Sequence, residues 1–220
     1  MALDNTVNSI LNKMHKQANP SDKGSYGEKA VFSICEDLYQ RRGGILIHSY
    51  EYRTEDGEEG NIKYENGSHY VENTGTVTEI DVLLVTPYRI FPIEVKAYKS
   101  NTITLTNECI TGCAITNKSP VHQNEMHMRH LYPKIFQALP DGMTKFIVPI
   151  VCFADKTKVI DKRTDDNKEY IHVTILNQMR AMLEQYDTPY NNTLLDLPAI
   201  ELRLRSVMTS NEVFLPYIKK

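Results

Sequence analysis

Four charged residues interrupt two apolar stretches near the middle of the chain. Glu79 and Asp81 lie in the first stretch, and Glu94 and Lys96 lie in the second. Carboxylate oxygens are the ligands that Mg²⁺ and Mn²⁺ prefer, and a carboxylate-bound metal ion can activate water for hydrolysis. These residue types therefore point to metal-dependent hydrolysis, with Lys96 as a positive charge beside the acids.

The residues around these acids predict a β-hairpin. Residues 80–85 and 90–95 are rich in β-branched side chains, and Pro87-Tyr88 between them is a turn signal. Pro92 cannot donate to a strand ladder, so it predicts that the second strand lies at a sheet edge or contains a bulge.

The length of the connecting loop decides how the acids face each other. With a two- or four-residue loop, Asp81 faces Glu94 and Glu79 faces Lys96, all on one face of the sheet. Opposed carboxylates repel unless a cation neutralises them. A three-residue loop would shift the register by one and separate these pairs.

Composition bounds the class of protein. The chain has 220 residues, 41% of them hydrophobic, which is enough for one domain with a full core. Its net charge of −3 provides no overall attraction to a polyanion, so any nucleic-acid affinity must come from local cations. The four cysteines are expected as packing residues, and the lack of a leader-like or membrane-spanning segment predicts a cytoplasmic protein without membrane contact.

Hydrophobic periodicity predicts alternating helices and strands. Helices are expected at 5–17, from about 22 to 39, at 119–138, 178–185 and 199–208, and strands at 45–52, 102–105, 145–153 and 171–176, with a hairpin ending near 71 and a surface loop at 155–168. Ser119 and Pro120 are typical of a helix start. The helix after them should bury Val121, Met128, Leu131, Ile135 and Leu139, and should expose Gln123, His127, His130 and Lys134.

Three segments of the chain resemble a known family. Asp81, twelve intervening residues and then Glu94-Val95-Lys96 resemble the D…(D/E)xK signature of the restriction-endonuclease-like, or PD-(D/E)xK, superfamily. Residues 24–28, GSYGE, resemble the GxxGE opening of the nuclease-related domain (NERD), and residues 119–123, SPVHQ, resemble its NPxxQ segment. The resemblance spans residues 24–139. It departs from the family pattern at Ser119, where Asn is usual, and in a long acidic insertion before Asp81.

The resemblance implies a metal-dependent nuclease with DNA as the expected substrate and Mg²⁺ or Mn²⁺ as cofactor. It implies that Asp81, Glu94, Glu28 and the carbonyl of Val95 are metal ligands. It also implies catalytic roles for Lys96 and Gln123. Phosphate contacts are then expected from nearby cations, namely Lys99, Lys118, Arg129 and Lys134.

The implied fold is α/β, with a restriction-endonuclease-like core in which a central mixed β-sheet is flanked by helices. An amphipathic helix at 1–20, a core at 21–176 with an inserted acidic hairpin at 53–72, and a C-terminal helical extension at 177–220 are expected. Two other functions remain open: a catalytically silent nuclease-like module that binds nucleic acid, and a protein-interaction module working through its acidic loop. The sequence is also compatible with a homo-oligomer.

Overall fold

The computed structural model describes residues 23–53, 62–65, 68–71, 77–98, 100, 102–112, 117–154 and 158–218. The helix expected at 5–17, the tip of the acidic insertion and Lys99 lie outside these residues, as does the side chain of Lys118.

The strands form a large mixed sheet, a smaller sheet and a hairpin. They are β1 (Gly44–Arg53), β2 (Ile62–Glu65), β3 (Ser68–Val71), β4 (Val77–Val85), β5 (Ile90–Lys96), β6 (Thr102–Leu105), β7 (Cys109–Thr111), β8 (Asn117–Lys118), β9 (Ile150–Phe153), β10 (Lys158–Asp161), β11 (His172–Ile175), β12 (Met208–Ser210) and β13 (Val213–Ile218). The large sheet has the order β11-β9-β5-β4-β1-β12, and β13 also pairs with β1. Strands β11, β9 and β5 are parallel, and the others in this sheet pair antiparallel.

Helices cover both faces of the large sheet. They are α1 (Lys23–Arg42), α2 (Pro120–Ile135), α3 (Asp165–Tyr170), α4 (Met179–Tyr186) and α5 (Leu197–Val207). Helices α1 and α4 bury apolar side chains against one face, and α2 and α5 bury theirs against the other. This is the α/β arrangement of a central mixed sheet with flanking helices that the sequence predicts.

The predicted boundaries of α1 and α2 follow from local chemistry. Helix α1 buries Val31 and Leu38 and ends before Gly43, which has a φ of 75° and donates its N–H to Tyr39. At the start of α2 the Ser119 hydroxyl accepts the N–H of Val121, which confirms Ser119 as the N-cap. The five apolar residues predicted to be buried by the helix and the turn after it are all buried.

The register predicted for the β4–β5 hairpin is confirmed as far as the ladder extends, but the predicted pairs Asp81–Glu94 and Glu79–Lys96 lie beyond its last pair. Val82 pairs with Ile93 and Val85 with Ile90, and the four residues between them form the turn. The Thr86 hydroxyl accepts the backbone N–H groups of the two residues that close this turn, which fixes the loop at four residues.

The prediction that Pro92 marks an edge strand or a bulge is wrong, since Leu83 pairs with Pro92 without a shift of register. Strand β5 lies between β4 and β9, in the middle of the sheet. The parallel pairing with β9 resumes at Ile93, and the Asn124 side chain on α2 donates to the carbonyl oxygens of Pro92 at 3.4 Å and Ile150 at 2.8 Å. The buried Asn124 amide therefore links β5 and β9 next to the residue that cannot donate to the ladder.

Residues 155–168 are not simply a surface loop. Within them, β10 pairs in parallel with β6, and together with β7 and β8 it forms the smaller sheet. Arg163 is buried beside this strand because its guanidinium binds the Asp161 carboxylate and donates to the carbonyl of Ile171 at 2.7 Å.

The C-terminal segment is helical only in part. After α4 and α5 it forms β12 and β13, which pair with β1 along its outer side. Among the cysteines, Cys35 and Cys152 are buried and free, as expected for packing residues, and Cys109 is partly buried; Cys113 lies outside the described residues.

Candidate active site

Asp81 lies where two central strands part. The ladder between β4 and β5 ends at the pair Val82–Ile93, while β5 stays paired with β9 as far as Lys96. Beyond the last pair, Oδ2 of Asp81 accepts the backbone N–H of Val95 at 2.6 Å. The carboxylate thus takes the place of a strand partner, which holds it next to Glu94.

The alternation of side chains is interrupted at this point. In β4, Val82 and Leu84 pack in the cluster under α1, whereas Ile80 packs in the cluster under α2 together with Leu83. Strand β1 changes face at the matching position, Ser49, where φ is 53°. The prediction that Glu79 shares one regular face with Asp81, Glu94 and Lys96 therefore fails, because it assumed unbroken alternation.

Glu94 is the most enclosed acid of the site, with 1% of its surface exposed. Its Oε1 accepts from the ammonium group of Lys96, and its Oε2 lies 3.2 Å from Nε2 of His127. The other ring nitrogen of His127 lies 3.0 Å from the Thr78 hydroxyl. A buried carboxylate with two such partners is held in one orientation.

Burial and neighbouring charge shift the proton affinities of this group. Burial, and then the charge of Glu94, raise the pKa of Asp81 to about 8, against the opposing effects of the Val95 N–H and Lys96. Burial alone would lower the pKa of Lys96, but the Glu94 carboxylate more than compensates and the pKa is raised. Lys96 therefore remains protonated at neutral pH beside two enclosed acids.

Gly27 lets α1 approach the sheet at the site. A Cβ at this position would lie 2.7 Å from the Cβ of Ala154 and 3.4 Å from Cγ1 of Val95. The next residue, Glu28, is half-buried, and its pKa is raised by burial and by the charges of Glu79 and Glu212, against the effect of His48. The GxxGE-like segment thus places Glu28 close enough for its charge to act on Asp81.

His127 is a site residue that the sequence analysis missed. It was expected on the solvent face of α2, but it is buried, and its carbonyl oxygen accepts the Tyr52 hydroxyl at 2.9 Å. The sequence held only part of the signal, because Leu131 at helical spacing is apolar whereas Asn124 on the other side is polar, although both are buried.

The other predicted site residues on α2 lie further out. Gln123 and Arg129 are exposed, and Lys134 is partly buried. Within the described residues, Gln123 makes no hydrogen bond to Asp81, Glu94 or Lys96. The structure therefore brings together Asp81, Glu94 and Lys96, places Glu28 near enough for its charge to act on Asp81, and leaves Gln123 at the periphery.

The donor groups match a hard cation in kind, but they are not arranged around one. In the part of the chain that the structure describes, no group of three or more His, Cys, Asp or Glu side chains is placed to hold a metal ion. Both oxygens of Glu94 have side-chain partners, and Asp81 binds a backbone N–H. A metal ion would therefore have to compete with Lys96 for Glu94.

A cavity of about 600 Å³ lies away from these acids. It is bounded by Arg89 at the opposite end of β5, by Lys145, and by the rings of Tyr170, Tyr186 and Tyr190. Because no acid of the site lines it, the cavity gives no indication of where a substrate meets Glu94.

Across the described ranges, no helix is both long and apolar enough to cross a membrane.

Comparison with known proteins agrees with this geometry. Neither a search of the curated proteins nor a search of solved structures returned a significant match. The family model described as nuclease-related domain matches residues 23–154, more than half of the 220-residue chain. This range contains α1 with Glu28, the β4–β5 hairpin with Asp81, Glu94 and Lys96, and α2 with His127. The chain therefore belongs to the nuclease-related domain family, NERD.

Proposed function

We propose that this protein is a metal-dependent nuclease that hydrolyses phosphodiester bonds in DNA. The observation that carries the proposal is the pair of enclosed acids, Asp81 and Glu94, beside the protonated Lys96 where β4 and β5 part. Burying a charge is costly unless it is paired, and an acid with a strongly shifted pKa beside a cation, as Asp81 is, is typical of catalytic sites.

Each side chain has a role that its position supports. Asp81, Glu94 and the carbonyl of Val95 would hold the metal ion, with Glu28 as a further oxygen donor from α1. Bound Mg²⁺ or Mn²⁺ would neutralise the scissile phosphate and lower the pKa of the attacking water. Lys96 would release Glu94 to the cation and turn its ammonium toward the phosphate, where it stabilises developing negative charge.

His127 would hold the Glu94 carboxylate in place once Lys96 releases it. Its Nε2 lies 3.2 Å from Oε2 of Glu94, and the Thr78 hydroxyl holds the ring from the other side. A ligand oriented in this way keeps one oxygen free for the cation while the other remains hydrogen-bonded. Arg129 and Lys134 on the same helix would contact phosphates and contribute affinity without reading sequence.

One observation favours a second function, a module of this fold that binds nucleic acid without cleaving it. Both oxygens of Glu94 are engaged, and the described residues contain no preformed group of three metal-binding side chains. If Lys96 does not yield to a cation, the same acids serve only to hold β4 and β5 together at the sheet centre.

The deciding experiment is cleavage of labelled single- and double-stranded DNA and RNA by the purified full chain in Mg²⁺, Mn²⁺ or EDTA. We expect cleavage of DNA with a divalent ion and none in EDTA. Asp81→Asn and Glu94→Gln should lose at least about 100-fold in rate, because each removes an anionic ligand. Lys96→Met should lower kcat strongly with little effect on DNA binding.

Asp141→Asn is the matched control, because Asp141 is an exposed acid with a φ of 49°, a conformation that Asn tolerates. It should cleave like the wild type. Binding of DNA without metal-dependent cleavage would establish the non-cleaving module instead, and cleavage by Glu94→Gln at the wild-type rate would refute the assignment of the site.

A further inference from the structure

The C-terminal turn between β12 and β13 reaches the active-site side of β1. Oε2 of Glu212 in this turn lies 2.8 Å from Nδ1 of His48, and the backbone N–H of Glu212 donates to the His48 carbonyl at 3.0 Å. His48 has 4% of its surface exposed, and its ring lies against Phe32 of α1 at a centroid distance of 5.1 Å. The imidazole is therefore enclosed between the turn and α1.

The contact with Glu212 determines which way the ring presents its second nitrogen. A carboxylate oxygen only accepts, so Nδ1 of His48 donates to Glu212. Nε2 then points toward α1, where it lies 4.0 Å from Oε2 of Glu28. Within the described residues this buried Nε2 has no hydrogen-bond partner, and a buried polar atom in that state costs free energy.

The side-chain pair is not needed to attach the C-terminal strands. Strand β13 already pairs with β1 at His48 and Val213 through the backbone, and the backbone N–H of Glu212 adds another bond. Because Glu212 is 60% exposed, its side chain contributes little to the core. The side-chain contact between Glu212 and His48 instead fixes the imidazole in the orientation that faces Glu28.

We propose that Glu212 and His48 are positioning residues of the nuclease site, which hold Glu28 toward Asp81 and Lys96. The inference rests on the proposed function, in which Glu28 is an oxygen donor of the site. It assigns part of the catalytic apparatus to a C-terminal segment that lies beyond residues 23–154, the range matched by the family model. Without Glu212 the imidazole can rotate, and Glu28 loses the neighbour that limits its orientations.

The test is a double-mutant cycle measured as kcat on a saturating DNA substrate at one fixed pH. We expect Glu212→Ala to lower kcat about 10-fold, as for loss of an outer partner of a ligand. Glu212→Gln should restore most of the rate, because its amide oxygen still accepts from Nδ1. In a Glu28→Gln background, Glu212→Ala should cause no further loss, since the group that it positions is already altered.

Two results would overturn the proposal: an unchanged kcat in Glu212→Ala, or a full 10-fold loss in the Glu28→Gln background, which would indicate an independent structural effect. Glu169→Ala is the matched control, since Glu169 is an exposed acid on α3 beside the cavity. It should retain the wild-type kcat, and Glu212→Ala and the wild type should unfold at the same urea concentration.

A second measurement separates this inference from the proposed function. The ring nitrogens of His48 can be followed by long-range ¹H–¹⁵N correlation, and an Nδ1–H held in a hydrogen bond is expected in the wild type and in Glu212→Gln but not in Glu212→Ala. Absence of cleavage by the wild type would refute the nuclease proposal, and with it the role assigned to the pair. Cleavage together with a ring pattern that is identical in all three proteins would refute the positioning role alone.

Discussion

Asp81→Asn should stabilise the metal-free protein above neutral pH. The amide oxygen can still accept the N–H of Val95, but the charge that burial and Glu94 disfavour is removed. Folding raises the pKa of Asp81 from its ordinary value of 3.8 to about 8. At about 1.4 kcal/mol per unit this shift corresponds to a ceiling of roughly 6 kcal/mol. Asp81 is partly exposed, and its charge interacts with that of Glu94. We therefore expect Asp81→Asn to raise the free energy of unfolding by about 1–3 kcal/mol.

The sign follows from proton linkage. The folded wild type keeps a proton on Asp81 that the unfolded chain releases, so its free energy of unfolding falls as pH rises from about 4 to about 8. Asparagine binds no proton in the folded or the unfolded chain. The variant therefore lacks this part of the decrease in the free energy of unfolding. The variant and the wild type should therefore be equally stable near pH 4 and should differ most above pH 8.

The assay is urea unfolding in EDTA at pH 4.5, 6, 7.5 and 9, with Asp141→Asn as the exposed control. The control should follow the wild type at every pH. Adding Mg²⁺ should stabilise the wild type more than Asp81→Asn, because the metal binds the folded acids. Parallel pH curves for Asp81→Asn and the wild type, or a destabilised variant at pH 9, would refute the reasoning.

Two further changes test the surroundings of the site. Gly27→Ala gains helix propensity but places a Cβ 2.7 Å from the Cβ of Ala154. We therefore expect the free energy of unfolding measured in urea to fall by about 1–3 kcal/mol, together with reduced cleavage. Increased stability would contradict this packing. Arg129→Ala and Lys134→Ala should weaken DNA binding in Ca²⁺ about equally for unrelated sequences and reduce the salt slope by about one contact each. Unchanged slopes in fluorescence anisotropy would place the substrate elsewhere.

The hairpin and the helix starts were predictable because local chemistry determines them. Loop length sets the register of an antiparallel pair, so the only uncertainty at Asp81 and Glu94 was whether the turn had three residues. The Thr86 hydroxyl stabilises the four-residue turn by accepting from the N–H groups two and three positions later, and the Ser119 hydroxyl caps α2 by accepting from the N–H of Val121. Such features depend on residues that are close together in the chain, so they can be predicted from a single sequence.

Other features depend on contacts between distant residues. Pro92 lies in a central strand although it has no N–H, and the side chain that links β5 and β9 beside it, Asn124, belongs to another element. His127 is buried because its ring reaches Glu94 and Thr78, although its spacing from Gln123 also fits a solvated stripe. The change of face at Ser49 and Asp81 involves two strands at once, so periodicity within either strand cannot predict it.

The C-terminal segment shows how far such long-range contacts extend the folded core. Met179 and Leu183 are buried in the cluster under α1, and Ile200 and Leu204 in the cluster under α2, so the segment from residue 177 onward contributes to the core on both faces of the sheet. Strands β12 and β13 also cover a side of β1 that would otherwise present unpaired backbone groups. Without β12 and β13, strand β1 would lose the partner that encloses His48. The family pattern ends before this segment, but the packing that holds α1 and Glu28 at the acid site continues through it.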